Sequence, residues 1–182
     1  MRIISGEHKG RRITAPKKLP VRPTKDMAKE ALFNILNNRF YFNELDVLDL
    51  FAGTGNISYE FASRGAISII AVDGNAGCIS FIAKTAELLE MNISPIKSDA
   101  FSYLSKVTTK WDIIFADPPY DIPLEEFEAI PKHIFEKKLL NDDGILIIEH
   151  SDKTDLSVLS NHSNSRKYGG SVFSFFEYKS EV

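Results

Sequence analysis

From residue 45 onward, short and nearly unbroken apolar runs alternate with longer amphipathic stretches. The runs are VLDLF (47–51), ISIIAV (67–72), the weaker SPIKS (94–98), DIIFA (112–116) and ILIIE (145–149). The segments between them, 56–64, 75–91, 100–107 and 124–140, have the length and period of helices. A strand covered on both faces loses the in-out alternation of a half-exposed one. This order therefore predicts an α/β fold with a mostly parallel, Rossmann-like sheet and helices on both faces. RKYG (166–169) and SVFSFFEY (171–178) flank a Gly-Gly pair and predict antiparallel strands at the end. Phe173, Phe175 and Phe176 are expected in the core, Trp111 in packing at the sheet edge, and SNHSNS (160–165) in a surface loop with His162.

Upstream, RIIS (2–5) and RRIT (11–14) around GEHKG predict a short β-hairpin. The proline-rich APKKLPVRPT (15–24) reads as an extended connector. Thr24 is placed to cap a helix running to about Asn37, with Ala28, Ala31, Leu32, Ile35 and Leu36 forming one apolar stripe. The expected division is a hairpin and connector over 1–23 and a main domain over 24–182.

Composition narrows the class. Hydrophobic residues are 43% and charged residues 26%, and no apolar run approaches the roughly 20 residues of a membrane span. MRIISGEHKG has no apolar signal core, and Cys78 is the single cysteine, so a soluble cytoplasmic protein without an internal disulfide is the expectation. His8, His133 and His162 have no metal-ligand spacing; no metal is expected, and His8 and His133 are expected to be exposed. Charge is uneven. Residues 1–29 carry nine Lys/Arg against Glu7 and Asp26, a net of +7, leaving −10 for the rest of a chain whose total is −3. A basic arm on an acidic body points to a polyanionic partner.

The chemistry gathers at strand ends. DLFAGTGNIS (49–58) puts Gly53 and Gly55 just after the first run, where small residues let the backbone approach a ligand at a helix start. Asp73 follows Gly53 by twenty residues, the spacing of an acid that accepts from ribose hydroxyls; a helix cap is the alternative. Asp99 ends the third run, where it could accept from an adenine amine or simply cap the next helix. With Asp49, these acids and the lack of a Walker lysine disfavour a phosphate ligand. A nucleoside with a positive charge, such as S-adenosylmethionine, suits them.

DPPY (117–120) ends the fourth run. Pro118 and Pro119 stiffen the backbone and leave the Pro118 carbonyl outside any ladder. Asp117 adds a second acceptor and Tyr120 a ring on which a base could stack. Two acceptors aimed at one spot suit an exocyclic NH₂ group. Glu149 and His150 close the fifth run and could line the pocket or serve structure.

The set RIISG, GRR, RPTKDMAKEALFNIL, DLFAGTG, DPPY and IIEH resembles the RsmD family of bacterial rRNA guanine-N2 methyltransferases, over nearly the whole chain. The resemblance implies a class I S-adenosylmethionine-dependent methyltransferase fold with an N-terminal hairpin, and methylation of one guanine in small-subunit (16S) rRNA. It implies cofactor positions at Phe51, Ala52, Gly53, Gly55, Asp73, Asp99 and Ala100, with Asp49 beside them, and an acceptor motif at Asp117, Pro118, Pro119 and Tyr120. Gly74 departs from the pattern, since a bulkier residue commonly follows the ribose-binding acid. Arg2, Lys9, Arg11, Arg12 and Arg22 would grip phosphates of the rRNA, free or in a partly assembled small ribosomal subunit, with a monomer as the expected state. The competing readings are an adenine-N6 methyltransferase on DNA or RNA and a non-catalytic rRNA-binding assembly factor.

Overall fold

The structure is a computed structural model describing residues 1–19 and 26–179; Arg22, Thr24 and most of the connector's second half lie outside these. Helix α1 (Asp26–Asn37) and a 3-10 turn (Phe42–Glu44) precede the alternating part. That part runs β1 (Asp46–Leu50), α2 (Asn56–Ser63), β2 (Ser68–Asp73), α3 (Ala76–Leu88), β3 (Ile93–Lys97), α4 (Ala100–Lys106), β4 (Trp111–Ala116), α5 (Leu124–Glu136) and β5 (Leu140–Ser151). Strands β6 (His162–Tyr168) and β7 (Ser171–Phe176) close the chain. The seven strands form one sheet in the order β3-β2-β1-β4-β5-β7-β6. Pairing is parallel from β3 to β5, whereas β7 lies antiparallel between β5 and β6.

Alternate strand residues feed two cores. Val47, Ile69, Ala71, Ile113, Phe115, Ile145 and Ile147 pack with the hairpin and helices α1, α2 and α3. Leu48, Leu50, Val72, Ile114, Ala116, Leu146 and Ile148 pack with α4 and α5. Strands β1, β2, β4 and β5 are thus apolar on both faces, which is why their runs look continuous in sequence. The expected phenylalanines are core residues: Phe173 and Phe175 join the first cluster and Phe176 the second. Trp111 is packing, but at the start of central strand β4 among the second cluster rather than at an edge.

Two expectations are corrected. His162 and residues 163–165 are not loop but the beginning of edge strand β6, paired with β7. Having only one neighbour, β6 keeps polar side chains in solvent and shows no apolar period. His8 and His133 are half-buried rather than exposed, and the His133 ring lies 2.7 Å from the Ala129 carbonyl of the preceding turn.

The hairpin is minimal, an Arg2–Arg12 bridge flanked by Ile3 N–H to Arg11 O and Ile13 N–H to Met1 O, both 2.9 Å. Its apolar residues Ile3 and Ile13 enter the first core. The seat itself is polar. Glu60 of α2, fully buried, accepts from the backbone N–H of Ile4 (2.8 Å) and Ser5 (3.0 Å) and from Arg64 Nε (2.9 Å). Lys29 of α1, equally buried, lies 3.4 Å from Glu60 and donates to the Arg2 carbonyl (2.6 Å) and Asn56 Oδ1 (2.9 Å). Gly6 comes so close to α2 that an added Cβ would sit 1.8 Å from the Ser63 carbonyl oxygen, and its φ of +84° is also one that side chains disfavour.

Glu60→Leu strands Lys29 and two hairpin amides. It should lower stability by about 3–5 kcal/mol in urea denaturation and open residues 1–13 to early proteolysis.

Candidate functional site

Strands β1 and β4 are neighbours whose following helices cover opposite faces, α2 on one and α5 on the other. In an open α/β sheet the loops leaving two such strands diverge, and the carboxyl edge between them is the usual place for a ligand. The glycine turn leaves β1 there. Phe51 is left-handed (φ +58°), unusual for an aromatic residue, and Gly53 and Gly55 also have positive φ. Ala52 N–H donates to Val72 O (3.0 Å) and Gly55 N–H to Ala52 O (2.8 Å), so the turn is pinned to β2 and to itself. Gly55 cannot be larger, because a Cβ would meet the Tyr59 ring at 2.9 Å.

Asp73 braces this turn. One carboxylate oxygen accepts from Gly53 N–H and the other from Asn75 N–H, each at 2.8 Å. The cap of α3 is Asn75, which accepts from Gly77 N–H (2.8 Å) and Cys78 N–H (3.1 Å), so Asp73 is not spent on that task. A carboxylate has about four acceptor positions, so these two bonds do not exhaust Asp73. Asp99 is exposed and does cap α4, accepting from Ser102 N–H at 2.9 Å through Oδ1. Ala100 opens that helix, and Phe101 sets its ring edge-on to Phe51, centroids 6.1 Å apart. Beside Gly74 an added Cβ would meet nothing within 4 Å, so the missing side chain leaves open room next to Asp73.

Asp49 sits deeper. It is 1% exposed and accepts from the Ser58 hydroxyl at 2.5 Å. Burial pushes its carboxyl up to about 7, against the lowering effect of Ser58.

The proline corner lies beside the glycine turn. Asp117 N–H donates to the Leu50 carbonyl at 3.3 Å, one residue before Phe51. Asp117 is half-buried, Pro118 buried and Pro119 exposed. The turn's own hydrogen bond uses the Pro119 carbonyl, which accepts from Ile122 N–H at 3.2 Å. Tyr120 is half-buried, and its hydroxyl donates to Glu149 Oε1 (3.2 Å) and lies 3.1 Å from Ser171 Oγ. Glu149 therefore belongs to this edge. His150 points to the other face, where its ring contacts Ser174 Oγ (2.7 Å) and the Phe127 ring, and burial pushes its pKa down. Ser171 carried no local signal, since only the return of β7 beside β5 brings it here.

Lys9, Arg11 and Arg12 are exposed on the hairpin, while Arg2 is half-exposed and pairs with Asp26 at the start of α1 (3.3 Å). No described helix is long and apolar enough to cross a membrane.

A family model described as "Conserved hypothetical protein 95" matches residues 1–177. Ribosomal RNA small subunit methyltransferase D of Escherichia coli K12 is 34% identical over 150 residues, 82% of this chain and 71% of that protein. The protein of the same name from Buchnera aphidicola of Acyrthosiphon pisum is 30% identical over 167 residues, 91% and 85% of the two chains. Among solved structures, Thermus thermophilus protein TTHA0928 superposes with a TM-score of 0.84 at 21% identity, covering 97% of this chain and 99% of that one. Magnesium protoporphyrin IX methyltransferase of Synechocystis, solved with bound S-adenosylmethionine, gives a TM-score of 0.64 at 16% identity, covering 82% and 77%. These two likenesses show the α/β fold alone.

Asp49 makes stability pH-dependent. Its folded pKa of about 7 lies above the ordinary 3.8, so the folded state holds the extra proton. That contribution is complete below pH 4 and is lost as pH rises through about 7. The melting temperature should fall between about pH 4 and 7, and Asp49→Asn should flatten that slope.

Proposed function

This chain belongs to the RsmD family of ribosomal RNA small-subunit methyltransferases, and on that premise we propose that it moves a methyl group from S-adenosylmethionine to the exocyclic N2 amine of a guanine in 16S rRNA. The observation that carries the reading is the 3.3 Å hydrogen bond from Asp117 N–H to the Leu50 carbonyl, which joins the two-acceptor corner to the glycine turn.

The residues of the turn suit an adenosyl group. Asp73 has acceptor capacity left for ribose hydroxyls. Asp99 and Ala100 stand where the third strand ends, and the Phe51 and Phe101 rings offer apolar walls. The acids Asp73, Asp99 and Asp117 give the edge a negative character that favours a cationic ligand. When bound, S-adenosylmethionine supplies an electrophilic methyl on a sulfonium.

The N2 amine of guanine is a weak nucleophile because its lone pair is delocalised into the base. Hydrogen bonds from its two N–H groups to the Asp117 carboxylate and the Pro118 carbonyl hold that amine for in-line attack and stabilise the positive charge that grows on nitrogen. Tyr120 gives the flat base a surface to stack on. No covalent intermediate with the protein is required. Lys9, Arg11 and Arg12 bind phosphates of the RNA and orient it without reading sequence. The target guanine has to leave its stack to reach the corner, so RNA shape carries the selectivity.

Incubation with labelled S-adenosylmethionine and unmethylated small-subunit RNA should place label on guanine N2; label confined to adenine overturns the choice of base. Asp117→Ala should cut the methylation rate by about 10²–10³ with cofactor affinity little changed. Arg11→Ala with Arg12→Ala should weaken RNA binding and reduce the slope of log K against log salt by about 2.

A further inference from the structure

We propose that Glu149 and Ser171 are positioning residues that clamp the Tyr120 ring as a pre-set platform for the target base; this rests on the methyl-transfer reading above.

Tyr120 lies in the turn after β4, outside any ladder, so strand pairing does not fix its ring. Its backbone end is stiffened by the two prolines before it. Its hydroxyl end is held by two strands that meet there. The phenol donates to Glu149 Oε1 of β5 at 3.2 Å, so its single proton is used, and Ser171 Oγ of β7, at 3.1 Å, completes the pair by donating to the phenol oxygen. The ring is tied at both ends to different parts of the fold.

The acceptor is costly to keep. Glu149 is 2% exposed, following the apolar run Ile145–Ile148 and paired with Phe173 on β7. An apolar residue would satisfy the sheet at that position, and a buried carboxylate is tolerated only where donors meet it. Burial pushes the Tyr120 phenol up to about 12, so it remains a donor throughout the neutral range. A ring ordered before RNA arrives spares the complex the entropy of ordering it and holds the base in register with Asp117.

The test compares the parent chain with Tyr120→Phe, Glu149→Leu, Glu149→Gln and the double variant Tyr120→Phe/Glu149→Leu. Single-turnover methyl transfer, RNA affinity and NMR ring-flip exchange of residue 120 are measured for each. Tyr120→Phe and Glu149→Leu should each slow transfer by about tenfold with RNA affinity changed less than about twofold. The double variant should be no slower than the slower single one, because both remove the same bond. Glu149→Gln keeps a carbonyl acceptor and should restore most of the rate, and ring flipping should quicken in Glu149→Leu alone of the two Glu149 variants. Parent-like rates in Tyr120→Phe, or losses that multiply in the double variant, overturn the clamp. If the parent chain transfers no methyl to RNA while Glu149→Leu still frees the ring, the methyl-transfer reading falls and the clamp stands as a property of the fold.

Discussion

The site depends on β1 and β4 lying side by side with their carboxyl ends in step. Leu50 is level with Ala116, and the chain leaves each strand at the next residue. One exit becomes a tight glycine-rich turn and the other a rigid proline corner, joined through Asp117 N–H and the Leu50 carbonyl. The crossovers that follow go to opposite faces, so the exits spread instead of covering each other. If that pairing slipped by one residue, every side chain at the rim would change face. The register also explains why the acids converge. The alternation that buries Val47, Ile113 and Ile145, carried two or four residues on, brings Asp49, Asp117 and Glu149 to the same face.

A second constraint ties the basic hairpin to this machinery. Glu60 accepts from two hairpin amides, and Lys29 bridges that acid to Asn56, the first residue of the helix that follows the glycine turn. Burial alone would drive the Lys29 pKa down, and Glu60 works against that. The hairpin is held through its backbone, which leaves Lys9, Arg11 and Arg12 facing solvent. Fold stability and the placing of positive charge thus use different atoms of the same thirteen-residue segment.

Much of this was legible in the chain. The five parallel strands were found to within a residue or so, β5 excepted, because doubly covered strands carry dense apolar runs, a local signal. Strand β5 begins at Leu140 rather than 145: Asn141, Asp142 and Asp143 break its apolar run, and its pairing with β4 is irregular between Trp111 and Ile113. The polar edge strand HSNSRKY looks in part like loop because an edge needs no apolar pattern. In the candidate site, the glycine turn and the DPPY corner are legible from backbone chemistry. The burial of Asp49 against Ser58 and the approach of Ser171 to Tyr120 arise from tertiary packing, which spacing along the chain does not encode.

Gly6 shows how a solvent-facing position can be as constrained as a core one. Its surface exposure suggests freedom to vary, yet the Ser63 carbonyl occupies the volume that any other amino acid would need. Evolutionary drift at residue 6 is therefore governed by the shape of a helix end fifty-seven positions away. Hydrogen alone fits there.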